Sequence, residues 1–482
     1  MLSVTKVSLN TTWIATIDLL IKISSYVFLL FLARKISIND FGLYHFVISF
    51  TYFFAIISDF GTQFLLERNI AENNYSILKT ALTTRLYMSI FAIILCIVIV
   101  YFLAVPENTK FLIFVYAFSL FPKAIYETVL PIFRGMENFF YERLFLLIKN
   151  IFFLVIAVTV VYITKNILFL VLTFVFSELI GAIAAFYLFN KTSLNIKIIP
   201  FSLKSFDFSF LKKSLPFVAG AGLYVFYFRI DSIMLKLLKS DFELGIYSSA
   251  YRIYEALLFI PSAIGTAIFP RLIKIEKENY YSAVDKVMKV TLLISSIISI
   301  LVIYYSSYIP LLYGHLAYQA LTKPLKVIFI IAPIAFVNYF YIILAFVQKK
   351  ETKILLPLLL VAAINVIANF YFIPKYGYMG AAWTTNISEV LLFILINCFV
   401  LSKVTKKIGV TIKFYFAFIS SLSFLYLMSY SIFLPFLALF IFALLLYILK
   451  VFNFDDVIIF KKIFSDIISL IRGSKDKDMA EN

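Results

Sequence analysis

The residues of this chain best able to do chemistry are charged side chains set in apolar surroundings. Asp18 and Lys22 stand four apart, and no other charge occurs between Val7 and Ala33. Arg229 and Asp231 lie two apart in Tyr227-Phe228-Arg229-Ile230-Asp231, and Arg252 and Glu255 follow three apart. A charge at mid-bilayer depth costs roughly 2.5–3.5 kcal/mol on insertion scales, so each needs a partner or a watery cavity. An ammonium acts as a point charge on an anion, whereas a guanidinium makes paired hydrogen bonds that suit phosphate. Lys22, Arg229 and Arg252 are therefore read as a cationic pocket for an anionic ligand, with Asp18, Asp231 and Glu255 as its counter-charges. Tyr224 and Tyr227, beside Arg229, are placed to stack on sugar rings in such a pocket. Glu178 and Glu389, like Glu127, are read as having no basic neighbour near them in their own helices. The first two are candidates for carrying a coupling ion. Asp59 and Lys123, near span ends, are expected to snorkel to the interface.

Other chemistries find no footing. No GxxxxGK[ST] loop is present, so ATP hydrolysis has no site. Cys96 and Cys398 both fall in apolar segments and read as free, inert core thiols without metal or redox spacing. His45 and His315 lie far apart, and no His/Cys/carboxylate cluster points to a metal. No long hydrophilic segment offers room for a transferase, and no catalytic residue or cofactor is expected. The chain reads as a binding and transport protein, not an enzyme.

The elements that position these charges follow from composition. Of 482 residues, 63% are apolar and 14% charged. Soluble domains average about 45–50% apolar and about 25% charged, and this excess is too large for a soluble fold to bury. With roughly 20 residues per span, the apolar positions suffice for about fourteen. Spans are placed near 9–33, 41–64, 84–105, 111–131, 144–164, 167–190, 214–238, 245–269, 290–312, 325–347, 354–373, 378–402, 412–430 and 432–450. Spanning segments must satisfy their backbone internally, so these are helices. The fold class is all-α, a polytopic membrane protein. The first thirteen residues show no signal-peptide cleavage pattern, so the first span is expected to remain in the mature protein.

The net charge of +17 need not mean nucleic acid. With the N-terminus in the cytoplasm, thirty of the 43 Lys and Arg fall on cytoplasmic segments and eight on outside ones. Arg143 and Lys149 count among the thirty. This bias fits an even number of spans with both termini inside. Residues 191–213 make a cytoplasmic linker with five lysines and Pro200. Residues 451–472 alternate as an amphipathic helix of the kind that lies on a membrane surface, and 473–482 are polar.

Two six-span halves look alike. Asp40-Phe41-Gly42-Leu43-Tyr44 recurs as Glu243-Leu244-Gly245-Ile246-Tyr247, with Gly and Tyr offset by 203, and Arg68 and Arg271 share that offset. Arg134 to Glu137 is echoed by Gln348 to Glu351, Ile163-Thr164-Lys165 by Ile373-Pro374-Lys375, and Ser177-Glu178 by Ser388-Glu389. Six spans return the chain to the same side, so the repeat is parallel, with a pseudo-twofold axis along the membrane normal. Such repeats build transporters that rock two lobes about a central site. The lobes are 1–190 and 214–403, followed by two extra transmembrane helices in 404–450 and a cytoplasmic tail, 451–482.

The run Arg34 to Tyr44, then Ser58-Asp59-Phe60-Gly61 and Glu67-Arg68-Asn69-Ile70-Ala71, resembles the N-terminal part of polysaccharide-export flippases of the Wzx type. Phe133 to Glu137, Arg229 to Leu235, Gly245 to Arg252, Phe269-Pro270-Arg271 and Asn365 to Glu389 extend the resemblance over about residues 8–403. It implies the multidrug/oligosaccharidyl-lipid/polysaccharide exporter superfamily, with two six-helix lobes and alternating access. It further implies a flippase in the cytoplasmic membrane. The cargo would be oligosaccharide on polyprenyl pyrophosphate, a precursor of polysaccharide, O-antigen, capsule or another glycan. Membrane lipids and a glycan polymerase or ligase would be its partners, and nucleic acid would not. The other reading on the same fold is an ion-coupled multidrug exporter. Both expect Lys22, Arg229 and Arg252 to decide the matter by facing the cavity or turning from it.

Overall fold

The computed structural model describes residues 4–191, 205–275, 277–314, 316–400, 408–427 and 434–452. Most of the linker and the surface helix expected at 451–472 lie outside the described residues. The elements in chain order are α1 (Val4–Lys35), α2 (Ile38–Asp59), α3 (Thr62–Ala71), α4 (Ile77–Phe102), α5 (Glu107–Ala117) and α6 (Leu120–Gly135). Then come α7 (Phe139–Thr164), α8 (Ile167–Lys191), α9 (Phe208–Leu238), α10 (Asp241–Leu257), α11 (Phe259–Lys274) and α12 (Lys277–Tyr305). The chain continues through α13 (Pro310–Tyr313), a 3-10 turn (Leu316–Leu321), α14 (Thr322–Val347), α15 (Glu351–Tyr376) and α16 (Tyr378–Leu395). A π-helical turn (Ile396–Val400) precedes α17 (Ile408–Leu427) and α18 (Leu434–Ile448). The described residues contain no strand.

Ten helices among the described residues are long and apolar enough to cross a membrane, and two shorter apolar ones lie at Gly409–Leu425 and Leu434–Ile448. The chain is a multi-pass membrane protein. α9 spans 31 residues, or about 46 Å at 1.5 Å per residue, but it carries Arg229, Asp231 and Lys236. Four expected spans are broken: the second between α2 and α3, the fourth between α5 and α6, the eighth between α10 and α11, and the ninth between α12 and α13. Cys96 is buried, as expected, but Cys398 is exposed on the π-helical turn and is not a core thiol. One-residue bulging of that helix rotates its face outward.

Two compact units divide the chain. One comprises Met1–Phe259, Ser306–Ile328 and Glu351–Leu392, and the other Ile260–Tyr305, Phe329–Lys350 and Phe393–Asn482. In the second unit α12 packs on α17 and α18. It carries an Asp285–Lys289 ion pair one turn apart, at 3.1 Å, and Tyr415 donates to the Ile330 carbonyl at 3.0 Å.

The first unit holds the candidate site. There α1 lies against α7, α9 against α15, and α2 against α4, α9 and α10. α2 and α10 begin alike. Ser37 Oγ accepts the Asp40 N–H at 3.1 Å, and Ser240 Oγ accepts the Glu243 N–H at 3.3 Å, the same offset of 203 as the repeated glycines. Each serine satisfies an amide that a helix start leaves open. The glycines themselves meet. A Cβ on Gly42 would strike the Asp241 carbonyl and the Gly245 amide, and one on Gly245 would strike the Ile38 carbonyl. At the far end of α2, Phe60 and Gly61 both take left-handed backbone, with φ of 46° and 69°. A Cβ on Gly61 would lie 2.7 Å from the Val218 amide of α9.

The break after α2 is pinned by one guanidinium. Arg85, on α4, is fully buried. It reaches Asp59 Oδ1 at 2.6 Å and Glu127 Oε2 at 3.3 Å, and it donates to the Glu127 carbonyl at 2.5 Å. That carbonyl is open for a covalent reason. Its helical partner would be the amide of residue 131, which is Pro131 and has no N–H. Asp59 in turn accepts the Gly61 amide at 3.2 Å. So Asp59 does not snorkel but pairs with Arg85, and Lys123 pairs within its own helix with Glu127 at 3.6 Å. Glu127 thus has a basic neighbour one turn away, which corrects its reading as isolated.

Removing one partner of a buried ion pair costs about 3–5 kcal/mol. Arg85→Ala is therefore expected to lower the thermal midpoint of the detergent-purified protein steeply. Arg85→Ala with Pro131→Ala should recover part of that loss, because an alanine amide satisfies the Glu127 carbonyl. Equal midpoints for the single and double variants would refute the carbonyl role.

Candidate functional site

Within the first unit, α1, α2, α7, α8, α9 and α10 enclose a cavity of about 540 Å³. Its charged lining is Asp18 and Lys22 from α1, Arg143 and Lys149 from α7, Glu178 from α8, Arg229 from α9 and Arg252 from α10. That is five cations against two anions. His45, Tyr44 and Tyr52 line it from α2.

Partners are drawn from neighbouring helices rather than from the same one. Asp18 pairs with Arg143 at 3.0 Å, not with Lys22 as the four-residue spacing predicts. The packing of α1 on α7 brings the guanidinium to it. Lys22 instead holds its ammonium 4.5 Å from the centre of the Phe259 ring, and among the described residues no carboxylate stands at ion-pair distance from it. Arg229 and Asp231 do not pair either. Residues two apart on a helix point to opposite sides. Arg229 turns to the cavity, where Nη2 meets Glu255 Oε1 at 2.9 Å and the guanidinium lies 5.7 Å from the Tyr52 ring centre. Arg252 meets the other oxygen, Glu255 Oε2, at 2.5 Å, as its three-residue spacing allows. Its Nη2 also stands 3.2 Å from His45 Nδ1, and His45 is buried.

Asp231 points away into a buried polar node. It accepts from Asn369 at 2.6 Å, Tyr247 at 2.8 Å and Thr385 at 3.1 Å, which ties α9 to α10, α15 and α16. Asn365, bonded to Asn369 at 2.9 Å and to Ser388 at 3.0 Å, extends that node. Glu389 is buried nearby and accepts from Tyr254 at 3.2 Å. Tyr227 is buried with its ring edge-on to Phe228, and the side chain of Tyr224 lies outside the described residues. Glu178 lines the cavity and has a basic partner from α7: Lys149 Nζ stands 2.6 Å from its Oε1. The same ammonium donates to Tyr126 at 3.0 Å. Gly181 makes the crossing possible, since a Cβ there would lie 3.1 Å from the lysine's methylenes.

Arg143 and Lys149, counted above with the cytoplasmic charge, therefore belong to the cavity. Their signal was readable. Arg143, Leu146, Asn150 and Phe153 recur every three or four residues and all line it, as one face of α7 must. His45 carried no such signal, because a lone histidine on an apolar helix has no periodic partner.

Lys149→Met leaves the Glu178 carboxylate, 3% exposed, without its cation, a loss of about 3–5 kcal/mol. Pairing it with Glu178→Met should recover most of the thermal midpoint, because an apolar pair needs no compensation. A double variant no more stable than the single would show that the two charges act independently.

The sequence profile described as "Polysaccharide biosynthesis protein" matches residues 7–276. No curated protein matches the chain. Among solved structures, the lipid II flippase MurJ in an inward closed conformation superposes with a TM-score of 0.73 at 18% identity, covering 94% of this chain and 99% of that one. An inward-facing multidrug resistance MATE family transporter of the MOP superfamily follows at 0.61 and 12%, covering 82% of this chain and 99% of its own. A MOP superfamily transporter from Pyrococcus furiosus, whose pocket is described as of reverse polarity, gives 0.56 and 12%, covering 83% and 97%. The fold is that of MurJ and the MATE transporters. Matched over more than half its length by the family profile, the chain belongs to the polysaccharide biosynthesis protein family.

Proposed function

We propose that the protein is a flippase that carries polyprenyl-pyrophosphate-linked oligosaccharide across the cytoplasmic membrane by alternating access. The observation that carries this reading is the cavity's charge, five cations against two carboxylates on six helices. A pyrophosphate needs cationic donors, and lipid-linked cargo needs a membrane-embedded cavity. An exporter of organic cations needs the opposite sign. Arg229 and Arg252 face the cavity instead of turning from it, which favours the anionic cargo. Apolar and aromatic walls, with Tyr44 and Tyr52 among them, suit the sugar portion.

In this reading the lobes 1–190 and 214–403 rock about the cavity, both termini stay in the cytoplasm, and about fourteen spans cross the bilayer. Lys22, Arg229 and Arg252 hold the charged head of the cargo, with Asp18 and Glu255 as counter-charges of the site. Tyr224 and Tyr227 precede Arg229 on α9 in the sequence. Glu178 and Glu389 are the buried carboxylates assigned to ion coupling. With both termini in the cytoplasm, this reading puts the Gly42–Gly245 approach at the outer side and Gly61 at the cytoplasmic side. Each marks a contact that alternating access must open in turn. Direction comes from an ion gradient or from a downstream polymerase or ligase that consumes the flipped oligosaccharide.

The test is transfer in proteoliposomes, read as access of an added glycosidase to polyprenyl-pyrophosphate oligosaccharide placed in the opposite leaflet. Arg229→Glu sets a second carboxylate against Glu255 and should abolish transfer while the protein still inserts. Full transfer by Arg229→Glu would sink the pyrophosphate pocket. Efflux of an organic cation without any lipid transfer would move the protein to the drug-exporter reading.

A further inference from the structure

Two guanidiniums in the cavity share one carboxylate. Glu255 gives one oxygen to Arg229 at 2.9 Å and the other to Arg252 at 2.5 Å. A carboxylate bridging two guanidiniums through separate oxygens reproduces the way a phosphate group engages paired arginines. The three side chains also differ in access. Glu255 is 29% exposed, against 15% for Arg229 and 17% for Arg252. Of the three, the two arginines line the cavity, so an arriving phosphate meets guanidiniums that the carboxylate already occupies.

The neighbours confine the arginines without competing for them. The Arg229 guanidinium lies 5.7 Å from the Tyr52 ring centre. Arg252 Nη2 stands 3.2 Å from His45 Nδ1, while His45 Nε2 is buried with no hydrogen-bond partner. Both neighbours come from α2 and line the cavity with the arginines, so they stay beside the guanidiniums when the carboxylate leaves. Across the same cavity, Lys22 has no carboxylate at ion-pair distance among the described residues.

We infer that Glu255 is a built-in surrogate for the phosphate of the cargo. It holds Arg229 and Arg252 in place before cargo arrives, yields both to the incoming phosphate while turning toward Lys22, and returns to displace the cargo on the far side. The inference rests on the proposed function and deepens it. Binding becomes an exchange of one anion for another, so the cavity's charge changes little through the cycle. An exchange also limits affinity, which a carrier needs in order to release.

The measurement is the affinity of the full-length, detergent-purified protein for inorganic pyrophosphate by titration calorimetry, beside the proteoliposome assay. Glu255→Gln removes the competing charge and should bind pyrophosphate about tenfold tighter or more, as expected for freeing charged hydrogen-bond donors. Its transfer rate should fall, because release loses its displacing anion. Glu255→Asp is one methylene too short to bridge both arginines and should bind with an affinity between wild type and Glu255→Gln. It serves as the test if the glutamine variant does not purify as a monodisperse protein. Binding by either variant that equals or falls below wild type overturns the surrogate role. That weakening, with a lower thermal midpoint, is what a purely structural carboxylate would give. No detectable binding by wild type or variants overturns it as well. Wild-type transfer of lipid-linked oligosaccharide without tighter binding by the variants sinks the surrogate alone. Tighter binding without any lipid transfer keeps the surrogate, for a free phosphate, and removes the lipid-linked cargo.

Discussion

A guanidinium set in hydrocarbon must find every one of its partners inside the protein, and two arginines carry that constraint through this structure. Arg85 satisfies a carbonyl that Pro131 leaves open, and it holds Asp59 and Glu127 beside the break in the second span. Arg229 cannot use Asp231, which lies on the opposite side of α9, and so draws on Glu255 of α10. In water these pairs would contribute little. In a low-dielectric interior they set which helices must be neighbours, because an unpaired charge is far costlier than a misplaced methyl group. The cavity is the place where this pairing stops being one to one. Cations outnumber carboxylates there, and Lys22 has an aromatic ring where the others have an anion.

Much of this was legible along the chain. A charge in an apolar run stands out, so Asp18, Lys22, Arg229 and Arg252 could be picked out from sequence, while their lining of one cavity comes from the helix packing. The glycines of the repeat stood out for the same reason, being fixed points between two stretches that otherwise differ. Partner choice was not legible. Spacing along one helix proposes Asp18 with Lys22, but the actual partner, Arg143, depends on how α1 lies on α7. Lys149 was lost to the opposite error. A base near a span end looks like any other cytoplasmic lysine until Glu178 is seen beneath it. Broken spans were hidden too, since the left-handed pair Phe60–Gly61 depends on the Asp59 carboxylate accepting the Gly61 amide.

The buried node around Asp231 shows a second use of charge in the same helix. One face of α9 presents Arg229 to the cavity, and the other commits Asp231 to three other helices through Tyr247, Asn369 and Thr385. Half a turn of helix thus separates a group free to meet a ligand from a group wholly engaged in packing. A change in the hydrogen bonding of Asp231 would rotate or shift α9, and Arg229 would move with it. The two residues are coupled through the stiffness of the helix that carries them, without touching.

The close approaches at the two ends of α2 are made by backbone. At Gly42 the neighbouring atoms are backbone, and at Gly245 and Gly61 backbone comes nearest, with Ile38 Cγ1 and Phe217 Cβ beside it. Interlocked leucines would have to change rotamer, and would expose apolar surface piecewise, before two helices could part. Bare peptide ridges need neither, since their amides and carbonyls stay bonded within their own helices during separation. Such a joint behaves as a smooth bearing surface rather than a ratchet. In the proposed cycle such a joint would part and rejoin along one path, leaving the charges between the joints, and not the joints themselves, to set which side is open.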